Sequence, residues 1–193
     1  NRGFYDTPHM FCYHINLGHP VLEEGARYLA PIRDVVWAAH AEAYERQGVG
    51  YRTMPAPQIG FHEQVWQHEM AADGVGEVPV ALVNDRLGLG FMVTTRKDQF
   101  PCMFEWQNLQ AGQYAFGIEP SSNHVLGNAE ARARGELIRL GHGEERRYES
   151  RFTILPDARA VACAEALIRA IACQPEEPYP APSGNFVPLG DRI

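Results

Sequence analysis

The chain has 193 residues, 45% of them hydrophobic, and a net charge of -7 with a pI near 5.6, enough for one substantial core and too acidic for nucleic acid or an anionic membrane as the main partner. Its densest basic stretch, Arg132, Arg134, Arg139, Arg146, Arg147 and Arg151, is interleaved with Glu130, Glu136, Glu144, Glu145 and Glu149 and reads as a charge-mixed surface. No apolar run approaches the roughly 18 residues of a membrane span, and no signal-peptide pattern is visible. Cys12, Cys102, Cys163 and Cys173 form no CxxC and sit in apolar contexts, as expected of buried free thiols in a reducing cytoplasm.

Patterned sequence begins within a few residues of Asn1, with no leader, cap or linker ahead of it, which reads as a piece of a longer polypeptide. In chain order, residues 10–17 form an aromatic and apolar strand-like run. Residues 31–47 carry Ile32, Val35, Val36, Ala39, Ala43 and Tyr44 at near-helical spacing and are expected to be helical. Strand-like runs follow at 64–69, 78–84, 90–95, 103–107, 113–119, 136–140 and 148–155, separated by Gly, Pro, Asn and Asp turn residues. Short strands at such spacing predict a mainly β, antiparallel sandwich or barrel rather than βαβ units. A C-terminal helix is expected over 157–173, with Asp157 as N-cap and Val161, Ala164, Leu167, Ile168 and Ile171 as its stripe. The last residues, 175–193, are rich in proline and read as an extended tail.

Three segments could carry chemistry. In Tyr13-His14-Ile15-Asn16-Leu17-Gly18, strand alternation puts His14 and Asn16 on one face. A histidine titrating near neutral pH beside an orienting amide suits proton delivery, although a core histidine bonded to a carbonyl would look the same. In Gln58 through Glu69, one face carries His62, Gln64, Trp66 and His68, and the other Glu63, Val65, Gln67 and Glu69. Planar amides and imidazoles beside an indole are what pyranose hydroxyls and C–H faces bind. The two histidines also allow a metal reading, but their spacing matches no HExxH template. In Tyr114-Ala115-Phe116-Gly117-Ile118-Glu119-Pro120, the face bearing Glu119 otherwise carries only Ala115 and Gly117, leaving room for a ligand; a merely solvated glutamate is the alternative.

Taken together, these segments resemble the galactose mutarotase-like (aldose 1-epimerase) superfamily, closest to its uncharacterised aldose-epimerase-like branch. Tyr13-His14-Ile15-Asn16-Leu17-Gly18 is similar to the family's His-x-Tyr-Phe/Trp-Asn-Leu strand, with isoleucine at the aromatic slot and Asn16 one place early. Gly117-Ile118-Glu119-Pro120 resembles the late strand that ends in the catalytic base, and residues 135–144 resemble the closing hairpin. Gly60-Phe61-His62-Glu63 stands where the family has a sugar-contacting acidic residue after a Gly-aromatic pair.

The resemblance implies a mutarotase-like supersandwich, with mostly loop over 31–47, of which residues 1–174 would be the C-terminal, sugar-binding portion. It also implies an isomerase acting on a free sugar, with Glu119 as base and His14 as acid. Asn16, His62, Glu63 and Gln64 would hold hydroxyls, and Trp66 or Trp106 would stack on the ring. No metal or organic cofactor is demanded. The family's further histidine and arginine belong to an N-terminal half, so a preceding segment or companion chain is expected to complete the sandwich. The rival readings are a carbohydrate-binding module without turnover and a metal-dependent sugar isomerase using His62 and His68.

Overall fold

The computed structural model describes residues 1–39, 46–124, 126–172 and 186. In chain order its elements are β1 (Thr7–His9), β2 (Ile15–Leu17), β3 (Arg27–Leu29), β4 (Ile32–Ala39), β5 (Gln64–Met70), β6 (Glu77–Asn84), β7 (Leu89–Arg96), β8 (Cys102–Asn108), β9 (Ala115–Ser121), α1 (Gly127–Arg134), β10 (Ile138–Leu140), β11 (Ser150–Leu155) and α2 (Ala158–Ile171). A five-stranded sheet, β2-β9-β8-β5-β4, faces a four-stranded sheet, β11-β7-β6-β3, while β1 and β10 pair separately. All strand pairs are antiparallel. The fold is therefore the expected antiparallel β-sandwich.

Between the sheets lies one apolar cluster that includes Tyr28, Ile32, Val35, Trp66, Val80, Leu82, Val93, Phe116 and Ile118. The four-stranded sheet is covered on its other side too. There Ala81, Val83, Met92 and Leu155 meet Val161, Ala164 and Ile168 of α2. Double coverage explains why β6 reads as a near-continuous apolar run, Val-Pro-Val-Ala-Leu-Val, rather than alternating. Helix α2 starts where Asp157 accepts a hydrogen bond from the Ala160 N–H at 2.8 Å, so the expected cap is in place. Arg27 on β3 bridges Asp85 and Glu165, tying α2 to the sheet edge.

The expected helix over 31–47 is not there: residues 32–39 form β4, and residues 40–45 lie outside the described residues. Two register shifts in the β4–β5 pairing are the reason. They place Ile32 opposite Met70, Val35 opposite His68 and Ala38 opposite Trp66, so core-facing residues recur every third position and imitate a helical period. Other boundaries moved as well. The run at 10–17 keeps only Ile15–Leu17 as strand, with Cys12 held by an isolated bridge to Ser121, and the run at 136–140 shrinks to Ile138–Leu140. Of the thiols, Cys102 is buried but Cys12 and Cys163 are exposed; Cys173 and all of the tail except Phe186 lie outside the described residues.

Candidate active site

Pairing register lays the outer face of the five-stranded sheet out as rows. Gln67 on β5 pairs with Phe104 on β8, and Phe104 with Glu119 on β9; one step beyond the β2–β9 pairing, His14 falls opposite Glu119. In the next row Val65, Trp106, Gly117 and Asn16 stand side by side. The other parity of the same strands, Gln64, Trp66, Glu105, Gln107, Phe116 and Ile118, points into the sandwich and is buried.

His14 and Glu119 meet on the outer face. His14 Nε2 lies 3.1 Å from Glu119 Oε1, ion-pair distance without the alignment of a hydrogen bond; the histidine side chain is 53% exposed and the glutamate 9%. Trp106 stands edge-on to the His14 ring at 5.2 Å, and its Nε1–H donates to Glu63 Oε2 at 2.9 Å. Four residues from four chain segments thus form one cluster. Burial pushes the Glu119 carboxyl above the ordinary range; His14 opposes this, and the Glu63 carboxylate reinforces it. A buried glutamate with a raised pKa, touching an exposed histidine, is an arrangement suited to moving protons near neutral pH.

Asn16 shares this face, opposite Gly117. Gln64 and Trp66, expected as sugar ligands, do not. Gln64 is 1% exposed and donates to the Val49 carbonyl at 2.9 Å, while Trp66 is 1% exposed and packs edge-on to Tyr51 in the core. His62 is exposed just ahead of β5, with its backbone N–H held by Gln47. His68 lies in the core, 3.0 Å from Glu105, so it cannot share a metal with the exposed His62. The space beside Gly117, expected to stay open for a ligand, is taken up by Glu119 itself. A Cβ at Gly117 would stand 2.8 Å from Glu119 Oε1.

Two contributors were missed from sequence. Gln67 Oε1 lies 2.9 Å from His124 Nδ1, and Phe186 stacks on the His124 ring at 3.6 Å with the Arg134 guanidinium 4.5 Å from its centroid. They cover the β5 side of the row. Gln67 reaches this face only through the β5–β8–β9 register, which the sequence does not supply, and nothing local marks His124.

The family model described as "Domain of unknown function (DUF4432)" matches residues 1–154. The chain belongs to this family. No curated protein matches the DUF4432 chain. A crystal structure of a "putative aldose 1-epimerase" from Klebsiella pneumoniae subsp. pneumoniae MGH 78578 is similar to it, with a TM-score of 0.80 and 28% identity over 89% of this chain. The DUF4432 chain spans 44% of that protein's length.

Proposed function

We propose that the His14–Glu119 pair catalyses aldose 1-epimerase-type mutarotation of a free sugar. The contact at 3.1 Å between an exposed imidazole and a buried carboxyl carries the reading, and similarity to the Klebsiella protein supports it. A sugar would enter between the two groups. Ionised Glu119 takes the proton of the anomeric hydroxyl while protonated His14 gives its proton to the ring oxygen. The C1–O5 bond breaks, leaving an open-chain aldehyde, neutral His14 and protonated Glu119. Rotation about C1–C2 and reversal of both transfers close the other anomer and restore the starting charges. The chemistry needs no metal or organic cofactor. The test is polarimetry on freshly dissolved single anomers of a panel of aldoses: faster decay to the anomeric equilibrium is expected, and no acceleration with any of them would end the reading.

Trp106 offers the half-buried aromatic side of the cluster, with Glu63, Asn16 and His62 available for hydroxyls. Trp106→Ala is expected to weaken sugar binding by about 1–2 kcal/mol in calorimetric titration. Unchanged affinity would remove it from the binding surface.

We further infer that a β-rich segment, joined before Asn1 or supplied by a companion chain, covers the β11 edge. Phe152 and Ile154 pair with Val93 and Phe91 and therefore face the interior of the sandwich, yet they are 51% and 61% exposed. Apolar side chains facing inward at an edge left unpaired among the described residues call for a cover. Replacing both by Ser is expected to lower binding of a hydrophobic dye to the 193-residue chain without altering its circular dichroism. Unfolding would show instead that the two residues belong to this chain's own core.

A further inference from the structure

We propose that Gly117 is a positioning residue whose missing side chain lets Glu119 fold its carboxyl back along β9 to meet His14. The proposal rests on the reading of Glu119 as the base and adds the feature of the strand that aims it. Residues 117 and 119 lie two apart on β9 and so share the outer face, where side chains two apart are neighbours. Glu119 nevertheless lies along the strand rather than standing away from it. Its Oε1 comes within 2.8 Å of where a Cβ of residue 117 would be, and Trp106 Cβ within 3.1 Å. The first separation is shorter than real Cβ atoms tolerate. The same Oε1 is the atom 3.1 Å from His14 Nε2. Any side chain at 117 must therefore displace the one oxygen that touches the imidazole, or push Trp106, which itself borders that ring.

Backbone geometry does not require glycine here. Gly117 lacks the positive φ found at Gly112 and Gly127, so alanine fits the extended strand without conformational strain. Glycine inside a strand otherwise weakens it, and sheet propensity alone would favour a larger residue. The one obstruction is the pair of side chains that form the candidate site. A glycine required by backbone conformation would show a positive φ; this one instead has the Glu119 carboxyl as its nearest obstruction, with Trp106 next.

The test is Gly117→Ala, read by 13C NMR titration of the Glu119 side-chain carboxyl, with that resonance assigned through Glu119→Gln. Displacing the carboxyl from its buried seat is expected to bring its titration midpoint down toward the ordinary range while the circular dichroism stays native. In polarimetry, kcat should fall by about 100-fold with KM little changed, the scale of loss for a catalytic group moved by about an ångström. An unchanged Glu119 titration in folded Gly117→Ala would overturn the proposal. If Gly117→Ala does not fold, Gly117→Ala/Glu119→Ala decides: recovery of the fold identifies the carboxyl as the obstacle, and no recovery points to Trp106 and overturns the proposal. The titration needs no sugar. Failure of wild type to accelerate mutarotation would thus count against the proposed reaction and leave the role of Gly117 to its own result.

Discussion

Glu119→Gln is expected to lower kcat for mutarotation by about 10²–10⁴-fold, the contribution of a positioned general base, while leaving sugar affinity within about threefold. The amide keeps the shape of the side chain and its seat above Gly117, but it cannot take a proton. The sign of the pH dependence follows from burial. Because the Glu119 carboxyl is held above the ordinary range, its basic form accumulates only as pH rises through that raised value, so the base-limited arm of kcat/KM should climb there and be absent in Glu119→Gln. Polarimetry across pH on both proteins reads this directly. Turnover unchanged in Glu119→Gln would remove the catalytic assignment, and retained sugar binding with no turnover in wild type would favour a carbohydrate-binding module.

Glu105→Ala is expected to destabilise the fold by about 3–5 kcal/mol in urea denaturation, because it leaves His68 unpaired in the core and opens a cavity. His68 and Glu105 are both fully buried, 3.0 Å apart, and Gln107 Nε2 donates to Glu105 Oε1 at 2.8 Å. Burial lowers the His68 pKa to about 3 and raises that of Glu105 well above the ordinary range, so both groups are driven toward their neutral forms. Both shifts favour one proton held on the Glu105 side of the 3.0 Å contact with His68 Nε2. In the unfolded chain the ordinary values are 4.5 for the glutamate and 6.5 for the histidine.

Above pH 6.5 the unfolded chain holds neither proton and the native pair holds one, so this contribution to stability falls as pH rises. The slope approaches about 1.4 kcal/mol per pH unit. Between pH 4.5 and about 3 the unfolded chain binds two protons against one, and stability falls as pH falls until His68 itself is protonated in the native state. Between pH 4.5 and 6.5 the contribution is flat. Glu105→Gln preserves a donor toward His68 and removes the titration, so the stability gap between it and wild type should move in its favour by that slope above pH 6.5. A gap independent of pH would show that the pair exchanges no proton with the folding reaction.

Which parts of this were legible in the sequence depends on how cleanly each strand separates apolar from polar. Strand β9 does so: Phe116 and Ile118 are core, and Glu119 falls on the other side. His14 and Asn16 could therefore be put on one face from alternation alone. Strand β5 does not separate them. Its interior parity carries Gln64 and His68, which bond to Val49, Gln107 and Glu105, while its outer parity includes the apolar Val65. The two faces were readable but their assignment was not, and Gln64 and Trp66 were placed on the wrong side. Helix α1 escaped for the opposite reason. Its eight residues, Gly-Asn-Ala-Glu-Ala-Arg-Ala-Arg, hold no apolar stripe; a Glu130–Arg134 pair and the left-handed Gly135 cap stabilise it locally. In β4 the two bulges turned a strand into the image of a helix.

The odd-and-even division of the five-stranded sheet also bears on how such a protein can diversify. Val65, Trp106, Gly117 and Asn16 alternate along their strands with the residues that fill the sandwich, so a substitution in one set leaves the other in register. Val65 and Asn16 can therefore change by point mutation while the folding information stays intact; Gly117 is the exception, because a side chain there meets the Glu119 carboxyl. Insertions or deletions have no such freedom. Removing one residue from β9 ahead of Glu119 would send the glutamate inward and a core residue outward, so foldability and chemistry would be lost together. Lineages of this sheet should therefore tolerate length changes in the loops between its strands and keep β8 and β9 constant in length.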